Sequence, residues 1–169
     1  MRTVTRFILV GITLVGCVAC DQASKNAVRH YLAVGESYSF LHDILRLVHA
    51  ENPGAFLSLG GALSEHTRML MFAGFFGALA VAALLAALLA RGLGRWHVVA
   101  LALIAAGGCG NWIDRLTNGG NVTDFLNVGI GSVRTGIFNV ADMILMAGAA
   151  LFVLAARHPA ASDNCWNGP

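Results

Sequence analysis

Residues 68–90, RMLMFAGFFGALAVAALLAALLA, carry a charge at the first position and continue without another charged side chain. A helix that rises 1.5 Å per residue needs about 20 mostly apolar residues to cross a hydrocarbon layer of about 30 Å. Outward from this stretch, further apolar segments run over residues 5–20, 96–113 and 137–156. We predict a mainly α, polytopic membrane protein whose residues 1–169 form one membrane-embedded domain with four transmembrane helices.

The composition of the chain supports a lipid environment. Hydrophobic residues make up 57% of it and charged residues only 12%, whereas a soluble globular protein carries about a quarter charged residues. The net charge of +2 is small and scattered, so we expect no nucleic-acid partner. Cys17 and Cys20 have C-x-x-C spacing, but no second pair or His cluster completes a zinc shell. We therefore interpret the thiols as small hydrophobic side chains and expect no metal and no cofactor.

Arginines lie in the short segments at one end of the predicted helices, whereas the basic residues of the longer connections are mixed with acidic ones: Lys25, Arg29, Arg46, Arg68, Arg115 and Arg134. Lys and Arg concentrate in short cytoplasmic segments of membrane proteins. Five arginines alternate along the chain as this rule requires when both termini are cytoplasmic: Arg2, Arg6, Arg91, Arg95 and Arg157. The longer connections, residues 21–67 and 114–136, then lie on the extracytoplasmic side.

The first outer connection contains a candidate strand. Residues 43–50, DILRLVHA, partly alternate and are rich in branched side chains, and Asn52-Pro53-Gly54 follows them as a turn. We expect a short strand or small sheet on the membrane surface. The second connection is rich in Gly and Asn around residues 118–121 and 129–131, which predicts turns there.

The N-terminus allows a second interpretation. Arg2 and Arg6, an apolar stretch and then Leu14-Val-Gly-Cys17 resemble a bacterial lipoprotein signal peptide with Cys17 as the lipidated residue. The protein would then be a processed lipoprotein rather than a processing enzyme. Against this, no Ser/Gly tether follows Cys17, and three more hydrophobic segments come afterwards. The intact mass of the purified protein distinguishes the two.

Polar clusters lie at the ends of the apolar segments, where ionisable groups are costly and indicate function by default. They are Asp21-Gln22-x-x-Lys25, Asn52-x-Gly54-Ala55-Phe56, Gly110-Asn111-x-x-Asp114-Arg115, Val122-Thr123-Asp124-Phe125 and Phe138-Asn139-x-Ala141-Asp142. Structural explanations remain open for the first three: an i, i+4 ion pair, a turn, and a polar cap on a helix end, respectively. A small channel or transporter subunit is a further alternative, although a relay would place charges along the helix faces instead of at one side.

Asp142 is the hardest of these residues to explain structurally, although an acid in the first turn, favoured by the helix dipole, stays open as an explanation. If the fourth helix starts near Ile137, Asp142 lies about 7 Å into it, at the boundary between water and lipid. Asp124, in the same outer connection, can reach it. Two carboxylates held close together cannot both ionise, so one keeps a proton while the other acts as a base toward a shared water. That water can then attack a peptide carbonyl while the protonated partner polarises it. No nucleophilic triad or metal pair is visible in the sequence, since Ser64 is not in a G-x-S-x-G turn and none of the six His is spaced as a metal pair on one helix.

The five clusters, in this order around four hydrophobic segments, resemble lipoprotein signal peptidase, the type II signal peptidase of bacteria. The resemblance runs from about Asp21 to about Ala150 and is most specific in the last two motifs. It implies that Asp124 and Asp142 are the catalytic aspartates. The other implied residues either bind and orient substrate or support the site: Asn111, Arg115, Asn139, Asn52 and Gly54 in the first role, and Asp21, Gln22, Lys25, Asp114 and Ala141 in the second.

The resemblance also implies the substrate and the location. The implied substrate is a prolipoprotein whose Cys carries a diacylglyceryl group, and the cut falls on the amino side of that Cys. The implied location is the bacterial inner membrane, whose lipids surround the protein. One element departs from the family pattern: N-x-G-A-A-F is usual, whereas this chain has Asn52-Pro53-Gly54-Ala55-Phe56, one residue shorter. The polar tail with Asn164, Cys165 and Trp166 has no counterpart in that pattern.

Overall fold

Four long helices and a small sheet make up the computed structural model, which describes residues 2–54 and 64–157. The helices are α1 Thr3–Tyr31, α2 Glu65–Leu89, α3 Arg95–Thr117 and α4 Val140–Arg157. The strands are β1 Ser37–Phe40, β2 Leu45–Asn52, β3 Val122–Ile130 and β4 Val133–Arg134. All four of these helices are long and apolar enough to cross a membrane. The predicted class, mainly α with four transmembrane helices and a small β element, is confirmed.

Helix α3 is the centre of the bundle and packs against each of the other three helices. Its buried face consists mainly of small residues, which let helix backbones approach closely where lipid removes the usual hydrophobic driving force. A Cβ on Gly148 of α4 would lie 2.9 Å from the Ala100 carbonyl oxygen of α3. A Cβ on Gly107 of α3 would lie even closer to the Ala141 carbonyl oxygen of α4. The small residues therefore fix how α4, with Asp142 in its first turn, lies against α3.

The predicted helix bounds need two corrections at the sheet end of the bundle. The first helix was expected to stop at Cys20, but α1 continues to Tyr31. The third was expected to stop near Ile113, but α3 continues to Thr117. Hydropathy fails in both places because these helix ends bury ionised side chains against each other instead of apolar ones. The bounds of α2 differ from the expected 68–90 by a few residues only.

The start of α4 also differs from the prediction. The helix begins at Val140 rather than Ile137, because the residues before it pair with a strand: Phe138 forms an antiparallel bridge with Leu126. Asp142 therefore lies in the first turn of α4 and not about 7 Å into it. A first-turn carboxylate is favoured by the free N–H groups and the dipole of a helix start.

The sheet joins the two outer connections, in the order β1-β2-β3-β4 with antiparallel pairs. The sequence predicted a strand over residues 43–50, and β2 covers most of it. It did not predict β3, because the Gly and Asn residues around that strand indicated turns. Asn52 is correspondingly the last residue of β2 rather than part of a turn after it. Cross-strand pairing places Ala50 opposite Asp124.

At the opposite end of the bundle, Arg6 ties α1 to α2. Its guanidinium donates to the carbonyl oxygens of Ala86, Ala87 and Ala90 at 3.0, 2.6 and 2.7 Å. These carbonyls lie at the C-terminal end of α2, where the last carbonyl oxygens of a helix lack intrahelical donors; the Ala86 oxygen also accepts from the Ala90 N–H. The arginine that the sequence assigned to membrane topology thus also caps a neighbouring helix, next to a core that includes Val10.

Candidate active site

Asp124 lies in the middle of the sheet and is only 4% exposed. Its Oδ2 accepts a hydrogen bond of 2.9 Å from Asn52 Nδ2, across the β2–β3 pair. Its Oδ1 accepts one of 2.7 Å from Asn139 Nδ2. Both oxygens of this carboxylate therefore have a neutral amide donor. No cation donates a hydrogen bond to this carboxylate within the described part of the chain.

Asp142 and Asn139 form a reciprocal cap on α4. The Asp142 N–H donates to Asn139 Oδ1 at 2.9 Å, and the Asn139 N–H donates to Asp142 Oδ2 at 3.1 Å. This is the arrangement of a capping box, with Asn and Asp in place of the usual Ser/Thr and Glu. The cap holds the carboxylate of Asp142 in one orientation, and it leaves that side chain half-buried instead of sealed.

The Asn139 side chain links the two aspartates. Its Nδ2 donates to Asp124 Oδ1, while its Oδ1 accepts from the backbone of Asp142. Asn139 reaches this position because Phe138 pairs with Leu126 in β3, which brings the start of α4 beside the strand that carries Asp124. One fully buried amide therefore sets the relative position of the two carboxylates.

Asn111 of α3 completes the polar centre. Its Nδ2 donates to Asp142 Oδ1 at 2.8 Å, and its Oδ1 accepts from Asn139 Nδ2 at 3.0 Å and from Lys25 Nζ at 2.9 Å. A lysine ammonium only donates, so the contact with Lys25 fixes which end of the Asn111 amide faces Asp142. The structure thus brings Asn111 and Asn139 together with Asp124 and Asp142.

Beneath this centre lies a buried ionic cluster between α1 and α3. Lys25, fully buried, contacts Asp21 Oδ2 at 2.9 Å and Asp114 Oδ2 at 3.1 Å. Gln22 Nε2 donates to both of these carboxylates. Asp21 and Lys25 thus form the i, i+4 ion pair that the sequence left open, but the pair is buried and does not lie on a helix surface. Burying such charges is tolerable only because every partner is hydrogen-bonded.

This cluster also reaches α4. Asp21 Oδ1 accepts a hydrogen bond of 2.8 Å from the Ala141 backbone N–H, one of the free donors of the first turn of α4. Ala141 therefore contributes to the cluster through its backbone N–H. Its methyl group is fully buried and would lie 3.1 Å from a Cβ placed on Gly110, so a larger side chain would not fit. Three helices meet at this point.

Arg115 lies beside the two aspartates without bonding to either. It is 7% exposed, donates to the carbonyl oxygens of Asn111 at 3.2 Å and Gly54 at 3.4 Å, and lies over the Phe76 ring at 5.2 Å. These contacts use two of its five N–H donors. Gly54 is itself held by an Asn52 side-chain bond of 3.1 Å. Ala55, Phe56, Asn164, Cys165 and Trp166, named from the sequence, lie outside the described residues.

Sequence reasoning missed part of the network. Thr123 is completely buried; its N–H donates to Asp114 Oδ2 at 3.0 Å and its hydroxyl accepts from Arg29 at 2.8 Å. Arg29 also pairs with Asp114 at 2.9 Å. Arg29 follows Lys25 by four residues, which would place both side chains on one face of a helix. This spacing could have predicted that Arg29 joins the network only if α1 had been expected to continue past Cys20.

The environment of Asp124 raises its pKa to about 6 from an ordinary value of 3.8. Burial is the largest cause, because it penalises the charged form, and the nearby Asp142 carboxylate acts in the same direction. The hydrogen bonds from Asn52 and Asn139 oppose the rise. A carboxyl with such a pKa exchanges its proton near neutral pH, which suits acid–base chemistry. Within residues 2–54 and 64–157, no cluster of His, Cys, Asp or Glu could hold a metal ion.

Comparison with known proteins identifies the family. The sequence model of Signal peptidase (SPase) II matches residues 13–157. Lipoprotein signal peptidase of Desulforapulum autotrophicum is 34% identical over 154 residues, which cover 90% of this chain and 91% of that protein. The one of Borrelia turicatae is 32% identical over 158 residues, covering 90% and 89%. The chain belongs to the signal peptidase II family and is a peptidase.

Solved structures agree with this assignment. A bacterial membrane enzyme determined by the in meso method at 2.3 Å resolution superposes with a TM-score of 0.76 at 25% identity, covering 98% of this chain and 94% of that one. A second, determined at 1.9 Å, gives 0.74 at 28% identity, covering 90% and 92%. The protein is therefore a multi-pass membrane protein, and the alternative of a non-enzymatic channel or transporter subunit is wrong.

Proposed function

We propose that this protein is an intramembrane aspartyl endopeptidase that removes signal peptides from diacylglyceryl-modified prolipoproteins, cutting on the amino side of the lipidated Cys. The observation that carries the proposal is the link between the two carboxylates. Asn139 donates to Asp124 through its side chain and to Asp142 through its backbone N–H, so both carboxylates accept hydrogen bonds from one buried residue. Family membership supplies the signal-peptidase activity.

The two aspartates take different roles in this mechanism. Asp124, whose pKa is raised to about 6, holds the proton of the resting pair. Asp142, which accepts from Asn111 and from the Asn139 N–H, is the carboxylate. Asp142 takes a proton from a water whose oxygen attacks the peptide carbonyl carbon, and Asp124 donates its proton to the carbonyl oxygen. The resulting gem-diol collapses as the C–N bond breaks: one of its hydroxyl protons returns to Asp124 while the carbonyl re-forms, and the proton on Asp142 passes to the departing amine nitrogen of the Cys.

In this proposal Arg115 orients the substrate, while Asn52 and Asn111 orient the two catalytic aspartates. Arg115 has N–H donors beyond those used for Asn111 and Gly54, and these are available for substrate carbonyl oxygens. Asn52 and Asn111 set the orientation of Asp124 and Asp142, respectively. The roles of Asp21, Gln22, Lys25 and Asp114 are structural support beneath the site, since none of them contacts either aspartate directly.

Access from the membrane fits a lipid-bearing substrate. A groove of about 430 Å³ runs between α2 and α3 and is lined by Leu70, Ala73, Gly74, Gly77, Ala78, Val81, Trp112 and Leu116. Trp112 follows Asn111 on α3, so the groove and the polar centre lie at the same level of that helix. An acyl chain contributes about 0.8 kcal/mol per buried CH₂, so a groove of this kind would supply much of the affinity.

In the proposed orientation the protein spans a bacterial inner membrane with both termini on the cytoplasmic side. The two catalytic aspartates then lie at the extracytoplasmic face. A reporter fused after Gly92 should then be cytoplasmic and one inserted near Gly119 extracytoplasmic, because arginines flank the α2–α3 turn. The opposite result would contradict the proposal. The continuous α1 through Cys17 further supports an uncleaved first helix, and an intact mass that includes the N-terminus tests it.

A cleavage assay tests the proposed reaction directly. The purified enzyme is incubated in lipid with a diacylglyceryl-modified prolipoprotein and with the same protein unmodified, and the products are identified by mass. We expect cleavage of the first alone, before the modified Cys. Asp124→Asn and Asp142→Asn should each abolish cleavage, and the double variant should be scarcely slower than either, because the two act as a unit. Robust cleavage by either folded single variant would end the aspartyl proposal.

A further inference from the structure

His49 occupies an unusual place in the sheet. It lies where the β2–β3 register shifts, between Leu47 and Ala50, and its side chain is 5% exposed. Its backbone closes the start of the β1–β2 hairpin: the His49 N–H donates to Glu36 and its carbonyl oxygen accepts from Gly35, at 3.0 and 2.8 Å. A β-bulge re-aims the side chains that follow it, and here those include Asn52, which bonds Asp124.

Both ring nitrogens of His49 face oxygen atoms. Nδ1 is 2.8 Å from the carbonyl oxygen of Leu32, the C-cap residue of α1, and Nε2 is 3.0 Å from Glu51 Oε1. A carbonyl oxygen only accepts, so Nδ1 carries a hydrogen. The distance between Nε2 and Glu51 Oε1 also lies within hydrogen-bonding range, so the second contact joins His49 and Glu51 as a pair.

Glu51 connects His49 to strand β3, which carries Asp124. Its Oε1 also accepts from the Thr123 hydroxyl at 3.0 Å, and its Oε2 accepts from Asn118 Nδ2. Glu51 and Thr123 are cross-strand partners in the β2–β3 register. Thr123 immediately precedes Asp124, and the residue after Glu51, Asn52, donates to that carboxylate. Two consecutive β2 residues thus hold two consecutive β3 residues.

We propose that His49 is a positioning residue for the peptidase site: the His49–Glu51 pair fixes Thr123 and thereby the orientation of the Asp124 carboxylate relative to Asp142. The inference rests on the proposed aspartyl mechanism. His49 anchors β2 to the end of α1 through Leu32 and directs Glu51 toward Thr123. It contacts neither the aspartates nor the groove, and it acts on the rate of reaction through geometry alone.

Two substitutions separate the functions of the two ring nitrogens. His49→Asn places an amide donor near the position of Nδ1 and keeps the Leu32 contact, but it lacks the donor to Glu51. His49→Gln places its amide nitrogen near the position of Nε2 and keeps the Glu51 contact instead. We expect His49→Asn to lower kcat about tenfold at unchanged KM, since a small misplacement of a reacting group is costly. His49→Gln should retain most of kcat. The exposed His42→Asn in the β1–β2 turn is the matched control and should behave as the unaltered protein.

Amide hydrogen exchange gives a readout independent of catalysis. In the full-length protein in lipid, the Thr123 and Asp124 amides should exchange about fivefold faster in His49→Asn and at the normal rate in His49→Gln. Equal kcat in the two variants, or equal exchange, would overturn the positioning role, because a merely structural histidine would lower thermal stability in both and kcat in neither. If Asp124→Asn still cleaved, the mechanism would fail while the exchange result stood by itself.

Discussion

Asp124→Asn should change how the stability of the protein depends on pH as well as abolish cleavage. The folded pKa of Asp124 is about 6, above its ordinary value of 3.8. Its contribution to folding is therefore fully present below pH 3.8 and is lost as pH rises through about 6. At about 1.4 kcal/mol per pKa unit, the loss reaches about 3 kcal/mol above neutral pH. The asparagine variant does not titrate and should not show this loss.

Comparing the stability of Asp124→Asn with that of the unaltered protein isolates the titration of Asp124, because asparagine resembles a protonated aspartate. Either group presents one hydrogen-bearing atom to a site where Asn52 and Asn139 both donate, so the two should be similar in stability near pH 4, within about 1 kcal/mol. Near pH 7.5 the variant should be the more stable by about 2–3 kcal/mol, and it should remain inactive. Thermal unfolding in detergent, followed by tryptophan fluorescence from pH 4 to 7.5, measures the difference between the two curves.

Asp43→Asn is a control of opposite sign. Hydrogen bonds from Arg46 hold the pKa of the Asp43 carboxyl well below its usual range, so its contribution to stability is present at neutral pH and is lost as pH falls through that lowered pKa. This variant should be less stable than the unaltered protein at neutral pH, and the gap should close in acid. Parallel curves for Asp124→Asn and the unaltered protein would refute the raised pKa and the assignment of Asp124 as the resting acid.

Two further substitutions, with Gly16→Ala as a control, test the support beneath the site, and Arg115→Ala tests the orientation of the substrate. Lys25→Met leaves two buried carboxylates without their ammonium and should cost about 3–5 kcal/mol, measured as loss of folded protein; near-normal stability would contradict the ionic cluster. Gly110→Ala places a Cβ 2.5 Å from Asp21 Oδ2 and should lower both melting temperature and activity, whereas Gly16→Ala, where space is open, should be neutral or slightly stabilising. Arg115→Ala should reduce kcat/KM by roughly tenfold or more with a small change in melting temperature; comparable losses of both would favour a purely structural role.

The hydropathy of the chain was sufficient to predict four transmembrane helices, because crossing a bilayer imposes a length and an apolar composition that any reader of residues 68–90 can recognise. The polar clusters could also be found, since ionisable groups next to such segments are rare unless they are used. Resemblance to the family then selected Asp124 and Asp142 from the nine acidic residues.

The sequence could not show how those residues meet. The continuation of α1 to Tyr31 depends on carboxylates from two helices that neutralise Lys25. Hydropathy does not include such contacts between distant residues, so the charged residues after Cys20 indicated the end of the helix. Strand β3 was hidden among turn-forming residues because its pairing partner lies in the other connection. Asn139 links the two aspartates only because Phe138 joins the sheet before α4 begins. Local patterns determine which segments enter the membrane, whereas contacts between residues far apart in the chain determine the positions of the carboxylates.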